Sequence, residues 1–127
     1  MSAALPPLLL IQSAVAAVWF YEGFWCKVLG RSQHEFEVVA QTPGLSRATS
    51  ALLLRLLGVV ETTIALWVLS GWQPIACAIA QTVLLIGLNS GGIAFSRHLI
   101  PDPAGMVIKN AAFLVLAWVA AGLAAAA

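Results

Sequence analysis

The second long apolar stretch of the chain, residues 46–70, reads SRATSALLLRLLGVVETTIALWVLS. At about 1.5 Å of rise per residue, a helix of this length crosses a hydrocarbon core of about 30 Å. Helices of water-soluble domains are usually shorter, at about three to four turns. The stretch therefore predicts a transmembrane helix.

Three further stretches share this length and apolar character, at residues 6–29, 74–96 and 103–125. The connection Gly71-Trp72-Gln73-Pro74 combines a glycine that stops one helix with a proline that starts the next, and Asp102-Pro103 is a typical helix start. We predict an all-α fold, an integral membrane bundle of four transmembrane helices that forms one domain over residues 1–127.

The composition of the whole chain agrees with a membrane protein. Of 127 residues, 61% are hydrophobic and 9% are charged, whereas roughly 25% are charged in an ordinary globular domain. Six Lys and Arg against five Asp and Glu give a net charge of +1, without the basic surface that gathers nucleic acid. The lipid bilayer is the first expected partner, and nucleic-acid binding is excluded.

A short amphipathic segment separates the first two predicted spans. Ser32-Gln33-His34-Glu35 has the capping-box pattern, and Phe36 and Val39 follow at helical spacing before Pro43-Gly44. We predict a short interfacial helix over residues 33–41. A solvated loop is the alternative, because the amphipathic run is brief.

All six Lys and Arg lie toward the end of the predicted bundle that carries this segment and the connection at residues 97–102. By the positive-inside rule this end faces the cytoplasm of a bacterial inner (plasma) membrane, and both termini face the outside or periplasm. His34 and His98 fall in the connections and are expected to be solvated.

Cys26 and Cys77 lie near opposite faces of the predicted bundle, so they are not expected to form a disulfide within one chain. The sequence contains no CxxC motif, no Cys/His set with metal-ligand spacing and no nucleotide-binding loop. We predict no metal site and assign no catalytic residue.

Ionisable residues at membrane depth are the main functional signal. A charge at the bilayer centre costs about 2.5 to 3.5 kcal/mol on insertion scales, so we expect these side chains to face inward and to pair. Counting from the predicted cytoplasmic helix ends at about 1.5 Å per residue gives a layer about 9 to 14 Å deep and another about 22 Å deep. The first layer contains Glu22, Arg55, Asn89 and Lys109, and the second contains Glu61 and Gln81.

Such residues either line a polar pocket or only fasten the helices together. For a pocket, the candidate ligand-binding and proton-relay residues are Glu22, Lys27, Arg55, Glu61, Gln81, Asn89, Lys109 and Asn110, with Trp19 and Trp25 as aromatic wall residues. Residues 87–92 (GLNSGG) place Gly87 and Gly91 on one face, which predicts close helix packing. The alternative is local unwinding that exposes the backbone to a ligand.

The chain resembles the DoxX-like family of small four-helix membrane proteins, especially the branch that also occurs attached to short-chain dehydrogenase-like proteins. The resemblance lies in residues 19–23 (WFYEG) with Lys27, residues 55–61 (RLLGVVE), residues 71–72 (GW), and residues 102–105 (DPAG) with Lys109-Asn110. It implies four transmembrane helices and a membrane redox setting. Some members accompany thiosulfate:quinone oxidoreductase, some sit in complexes that handle thiols and superoxide, and distant animal relatives assist membrane-protein assembly.

We therefore expect a small subunit of, or accessory to, a quinone-linked oxidoreductase, non-catalytic on its own, that binds a quinone-like or other small polar ligand. Arg55 and Lys109 would hold a developing oxyanion while Glu22 or Glu61 exchanges the proton. The sequence carries no haem, flavin or iron–sulfur ligand set, so a partner protein or the ligand would supply electrons.

Two other classes of function fit parts of the pattern. A proton-coupled small-molecule carrier, working as a dimer, would use the acid in helix one, although the long first connection and the expected buried Arg and Lys argue against it. A membrane chaperone or assembly partner would dock through the glycine face of the third transmembrane helix and through the short surface helix. All of these functions imply a homo- or hetero-oligomer.

Overall fold

The computed structural model describes residues 6–127, and this part of the chain is helical without any strand. The predicted domain also includes residues 1–5, which lie outside the described part. The elements are α1 (Leu8–Phe20), which continues directly as a π-helical segment (Tyr21–Val28), α2 (Gln33–Ala40), α3 (Arg47–Ser70), α4 (Pro74–Ser96) with a 3₁₀ turn (Arg97–Leu99), and α5 (Pro103–Ala126).

Four helices are long and apolar enough to cross a membrane: Leu8–Val28, Arg47–Ser70, Pro74–Leu99 and Pro103–Ala126. They confirm the prediction of an all-α protein with four membrane-length helices. The chain is a multi-pass membrane protein, and the lipid bilayer is its environment.

Local chemistry sets several of the helix ends. Gly71 ends α3 in the left-handed conformation at φ 68°, which favours glycine because it has no Cβ. The Ser46 side chain accepts a hydrogen bond from the Thr49 amide at 3.1 Å and begins α3. Asp102 accepts one from the Gly105 amide at 3.0 Å and begins α5, as its position before Pro103 predicts.

The apolar core lies where α1 packs between α3 and α5. Val15 and Trp19 of α1, Ile64 and Ala65 of α3, and Ala117 of α5 are all buried there. α4 packs mainly on α5 and makes little direct contact with α3, whereas α2 contacts both α3 and α4. Residues of α2, α3 and α4 together line an opening between these helices.

Gly23 and Gly58 make the closest helix contact that the site depends on. A Cβ added to Gly58 would lie 2.7 Å from the Gly23 carbonyl oxygen and 2.7 Å from Lys27 Cβ. A Cβ on Gly23 would lie 2.8 Å from the Gly58 carbonyl oxygen. Ordinary contacts between carbon atoms are about 3.5 to 4.0 Å, so the two backbones approach this closely only because both residues are glycine.

The close packing predicted at Gly87 and Gly91 is wrong. A Cβ built on either residue has no heavy atom within 4 Å. The alternative of local unwinding does not occur either, because α4 is helical through both positions. Both glycines instead lie along the opening, among its lining residues.

The segment between the first two spans forms a helix, so the alternative of a solvated loop is wrong. Its predicted capping box is not made, because the Ser32 side chain caps no amide of α2. The helix is held to the bundle at both sides. Arg47 lies over the Phe36 ring at 4.9 Å, and the Ser96 hydroxyl donates a hydrogen bond to the Val38 carbonyl oxygen.

Candidate functional site

A cavity of about 410 Å³ lies between the four long helices under α2. Ligand sites for small molecules usually occupy about 300 to 1,000 Å³, so this cavity is of suitable size. Leucine, valine and glycine residues make up much of its wall. Its polar wall residues are Glu22, Lys27, His34, Glu35, Thr42, Glu61, Asn89 and Asn110, and its aromatic wall residues are Trp19 and Phe113.

Lys27 lies at the centre of the charged part of the wall. Its Nζ donates to Glu61 Oε2 at 2.9 Å, and the two side chains are 7% and 1% exposed. It also donates to the Glu22 carbonyl oxygen at 3.3 Å. A buried charge is tolerated when it is paired and hydrogen-bonded, so Lys27 and Glu61 form the structural pair of the site.

The helix geometry explains why Lys27 reaches Glu61. Glu61 lies one turn after Gly58 on α3, and Gly58 contacts the backbone beside Lys27. Tyr21–Val28 is π-helical, and such segments occur often at functional sites. No sequence pattern described above predicts this wider helical turn.

Two more carboxylates surround the same ammonium. Glu35 Oε2 lies 3.8 Å and Glu22 Oε2 lies 4.0 Å from Lys27 Nζ. Both side chains are partly exposed, at 27% and 43%. Three carboxylates thus share one lysine on the cavity wall.

Glu35 is the site residue that sequence reasoning missed, because it was assigned to a capping box. A signal was present: Glu35, Val38, Val39 and Thr42 have the i, i+3, i+4, i+7 spacing of one helix face, and all four line the cavity. His34, expected to be solvated, has an exposed side chain and also lines the cavity.

Side-chain amides form the opposite part of the wall. Asn110 Nδ2 donates to Asn89 Oδ1 at 2.8 Å, and Asn89 Nδ2 donates to the Leu85 carbonyl oxygen at 2.7 Å. This pair ties α4 to α5. Each amide nitrogen retains a second hydrogen that a ligand oxygen could accept.

Trp19 is held at the inner end of the cavity. Its Nε1 donates to Gln81 Oε1 at 2.9 Å, and its ring meets the edge of Phe113 with 5.7 Å between centroids. Gln81 is buried and donates to Cys77 Sγ at 3.5 Å, but it is not part of the cavity wall. Gln81 therefore positions the indole.

Comparison with known protein families matches residues 16–118 to the DoxX-like family. The chain belongs to the DoxX-like family. The match includes both members of the Lys27–Glu61 pair and the two amides Asn89 and Asn110. Searches of curated proteins and of solved structures found no match to the chain.

Two predicted charged site residues of this DoxX-like chain lie outside the cluster. Arg55 and Lys109 are exposed, and within residues 6–127 neither makes an ion pair with a carboxylate. Their expected inward pairing is therefore wrong. Trp25 is also displaced from the wall: it is 48% exposed and lies under the Arg31 guanidinium at 5.7 Å.

The depth count failed because the helices do not end at one level. Lys27 is near the end of its helix, yet it meets Glu61, which lies well inside α3. Arg55 precedes Glu61 by six residues, which places it about 9 Å closer to the α2 end of the bundle. An exposed arginine near a helix end extends toward the headgroups and needs no buried partner.

Glu22, Cys26 and Glu35 bring two carboxylate oxygens and a thiol sulfur within 4.8 Å of one another. These atom types can bind a divalent metal. However, the Lys27 ammonium is within 4.0 Å of both carboxylates and supplies positive charge there. The absence of a metal site remains a prediction from the sequence.

Proposed function

We propose that this DoxX-like chain is a small integral membrane subunit of, or accessory to, a quinone-linked oxidoreductase, and that its cavity binds a quinone-like or other small polar ligand. The observation that supports this most is the set of one buried lysine and three carboxylates on the wall of a cavity of about 410 Å³. Ionisable groups within membrane spans are functional candidates by default, because retaining them is costly.

The wall offers both donors and acceptors to a ligand headgroup. The Lys27 ammonium and the amides of Asn89 and Asn110 can donate to a ligand oxygen, whereas the carboxylates of Glu22 and Glu35 can accept a proton. Lys27 thus replaces Arg55 and Lys109, which lie outside the cavity, as the cation of the site. Electrons would come from a partner protein or from the ligand itself.

The cavity would open toward the cytoplasmic side of a bacterial inner membrane, with α2 as an interfacial helix over it. The arrangement of basic residues supports this orientation. Arg31 and Arg47 lie at the ends of the long first connection and are exposed, as positively charged residues on the cytoplasmic side commonly are. Both termini would then face the periplasm.

A proton-coupled carrier is the second candidate, and the excess of carboxylates on the cavity wall favours it. Arg55 and Lys109, whose burial would oppose a carrier, are not on the cavity wall. For the chaperone alternative, Gly87 and Gly91 line the cavity, which leaves α2 as its docking surface. A fastening role for the Lys27–Glu61 pair is compatible with all of these functions.

Glu22→Gln tests the proposal with little risk to folding, because the Glu22 side chain is 43% exposed and the buried Lys27–Glu61 pair remains. The protein is extracted gently with its bound partners, and quinone-dependent activity of the co-purified oxidoreductase is measured. We expect a loss of at least tenfold at unchanged abundance. Glu37→Gln is the matched control, because Glu37 faces Arg47 at 3.9 Å and is not on the cavity wall.

Full activity of Glu22→Gln would refute a role for the cavity in the reaction. Failure of any oxidoreductase to co-purify would refute the accessory role. Transport of a small molecule by the purified protein in vesicles, abolished by the same substitution, would establish the carrier instead.

A further inference from the structure

The charged groups of the cavity wall do not balance. Its titratable residues are Glu22, Lys27, His34, Glu35 and Glu61. With all three carboxyl groups ionised, Lys27 charged and the imidazole neutral, their formal charge is −2. The arginines of the chain are absent from this wall and cannot offset that charge locally.

The imbalance is concentrated at Glu22 and Glu35. Lys27 is hydrogen-bonded to Glu61 at 2.9 Å, whereas it lies 4.0 and 3.8 Å from the other two carboxylates. Those two distances exceed the range of about 2.7 to 3.2 Å for a hydrogen bond. Oxygens of Glu22 and Glu35 also lie within 4.8 Å of each other. Two carboxyl groups therefore face the cavity side by side, and Lys27 is within hydrogen-bond distance of neither of them.

The remaining wall fits the body of an organic molecule. Trp19 and Phe113 meet at 5.7 Å between ring centroids and offer aromatic surface. Gly87 and Gly91 leave open space on the α4 side, since a Cβ on either would contact nothing. Aromatic faces attract cations and also pack well against apolar groups.

We infer that the cavity binds an organic cation with N–H donors, a primary ammonium whose charge lies between Glu22 and Glu35 and whose apolar part lies toward Trp19 and Phe113. This inference rests on the proposed use of the cavity as a ligand site and narrows the chemical class of the ligand. An ammonium donates to both carboxylates and offsets their charge, which a neutral acceptor such as a dione does not. The same chemistry is present in a free amine and in the ethanolamine headgroup of a phospholipid.

Calorimetric titration of the full-length protein in phosphatidylcholine nanodiscs tests the inference. The ligands are 2-phenylethylamine, its neutral analogue 2-phenylethanol and the anion 3-phenylpropionate. We expect the amine to bind at least tenfold more tightly than the alcohol, and the anion not to bind. Glu35→Gln should weaken amine binding about tenfold, whereas Glu37→Gln on the same helix should leave it unchanged.

Equal affinity for the amine and the alcohol would overturn the inference, and so would equal amine binding by Glu35→Gln and the unmodified protein. Binding of Mn²⁺ at the Glu22–Glu35 pair without amine binding would also overturn it. Binding of a short-chain quinone analogue without amine binding would leave the proposed function intact and refute the inference alone. If neither compound binds, the proposed function fails as well.

A second titration identifies the source of the ammonium group. If phosphatidylethanolamine in the nanodisc weakens 2-phenylethylamine binding, the lipid headgroup competes for the cavity and is its occupant in the membrane. If the affinity is unchanged by this lipid, the cavity takes a free amine. Both results require amine binding at the site, and each assigns the ligand to one source.

Discussion

The contact between Gly23 and Gly58 of α3 determines whether Lys27 reaches Glu61, and Gly58→Ala perturbs this contact directly. The new Cβ would lie 2.7 Å from both the Gly23 carbonyl oxygen and Lys27 Cβ, and 2.9 Å from Val28 Cγ2. The Gly23 oxygen is a backbone atom, and Lys27 Cβ and Val28 Cγ2 are side-chain atoms close to the backbone, so none of them can move far without the helix. Restoring a contact of about 3.5 Å requires the helices to separate by about 0.8 Å.

This separation acts on the buried ion pair. The Lys27–Glu61 distance of 2.9 Å would lengthen past the range of a hydrogen bond if the backbones moved apart as rigid bodies. Overpacking costs about 1 to 3 kcal/mol, and a hydrogen bond to a charged group contributes about 1.5 to 3 kcal/mol. Alanine regains about 1 kcal/mol over glycine in a helix. The expected net loss in the free energy of unfolding is about 3 kcal/mol, from these opposing contributions.

The assay is unfolding in mixed micelles with increasing sodium dodecyl sulfate, followed by circular dichroism. Gly122→Ala on α5 is the matched control, because a Cβ there has no heavy atom within 4 Å. We expect the control to unfold at the same or a slightly higher detergent fraction than the unmodified protein, and Gly58→Ala at a clearly lower one. If the two alanine variants unfold alike, the glycine contact does not hold the pair together and the reasoning is refuted.

Two other substitutions test the polar contacts of the bundle in the same assay. Lys27→Met should lower the free energy of unfolding by about 3 to 5 kcal/mol, because it leaves the Glu61 carboxylate buried without a partner. The double variant with Glu61→Met should recover most of this loss. Equal losses in the single and the double variant would contradict a paired role. Gln81→Leu should lower the free energy of unfolding by about 1 to 3 kcal/mol, because the buried Trp19 indole loses its acceptor at 2.9 Å. It should also change the tryptophan fluorescence spectrum of the protein. An unchanged spectrum and an unchanged unfolding midpoint would show that the hydrogen bond is unimportant.

A candidate site residue can be predicted from the sequence only as far as its position does not depend on neighbouring helices. Lys27, Glu61, Asn89 and Asn110 were selected because polar groups inside apolar spans are costly, and all four lie on the cavity wall. Arg55 was selected by the same rule, but it faces outward. The free-energy cost of a charged side chain depends on its depth in the bilayer and on whether it points into the bundle or toward lipid. Neither can be told from the sequence of one helix alone.

The direction of each helix was hidden because lipid is as apolar as the protein core. A surface helix of a soluble protein shows its inner face by its apolar stripe, whereas the four long helices here have apolar residues on every side. Val59 and Val60 are exposed beside the buried Gly58 and Glu61, for example. Hydrophobicity therefore could not orient α3 toward Lys27.

The sequence by itself determined the four membrane-length helices, several of their ends and the family, because hydropathy, proline, glycine and capping residues act within one helix or turn. Only the tertiary structure decided that Glu35 joins Glu22 and Glu61 around Lys27, and that Arg55 and Lys109 do not. That outcome depends on the height at which Gly23 and Gly58 let the Tyr21–Val28 segment and α3 touch, and on the packing of α2 against α3 and α4. Both are contacts between distant parts of the chain, and a local pattern such as the amphipathic face of α2 does not show which helices it meets.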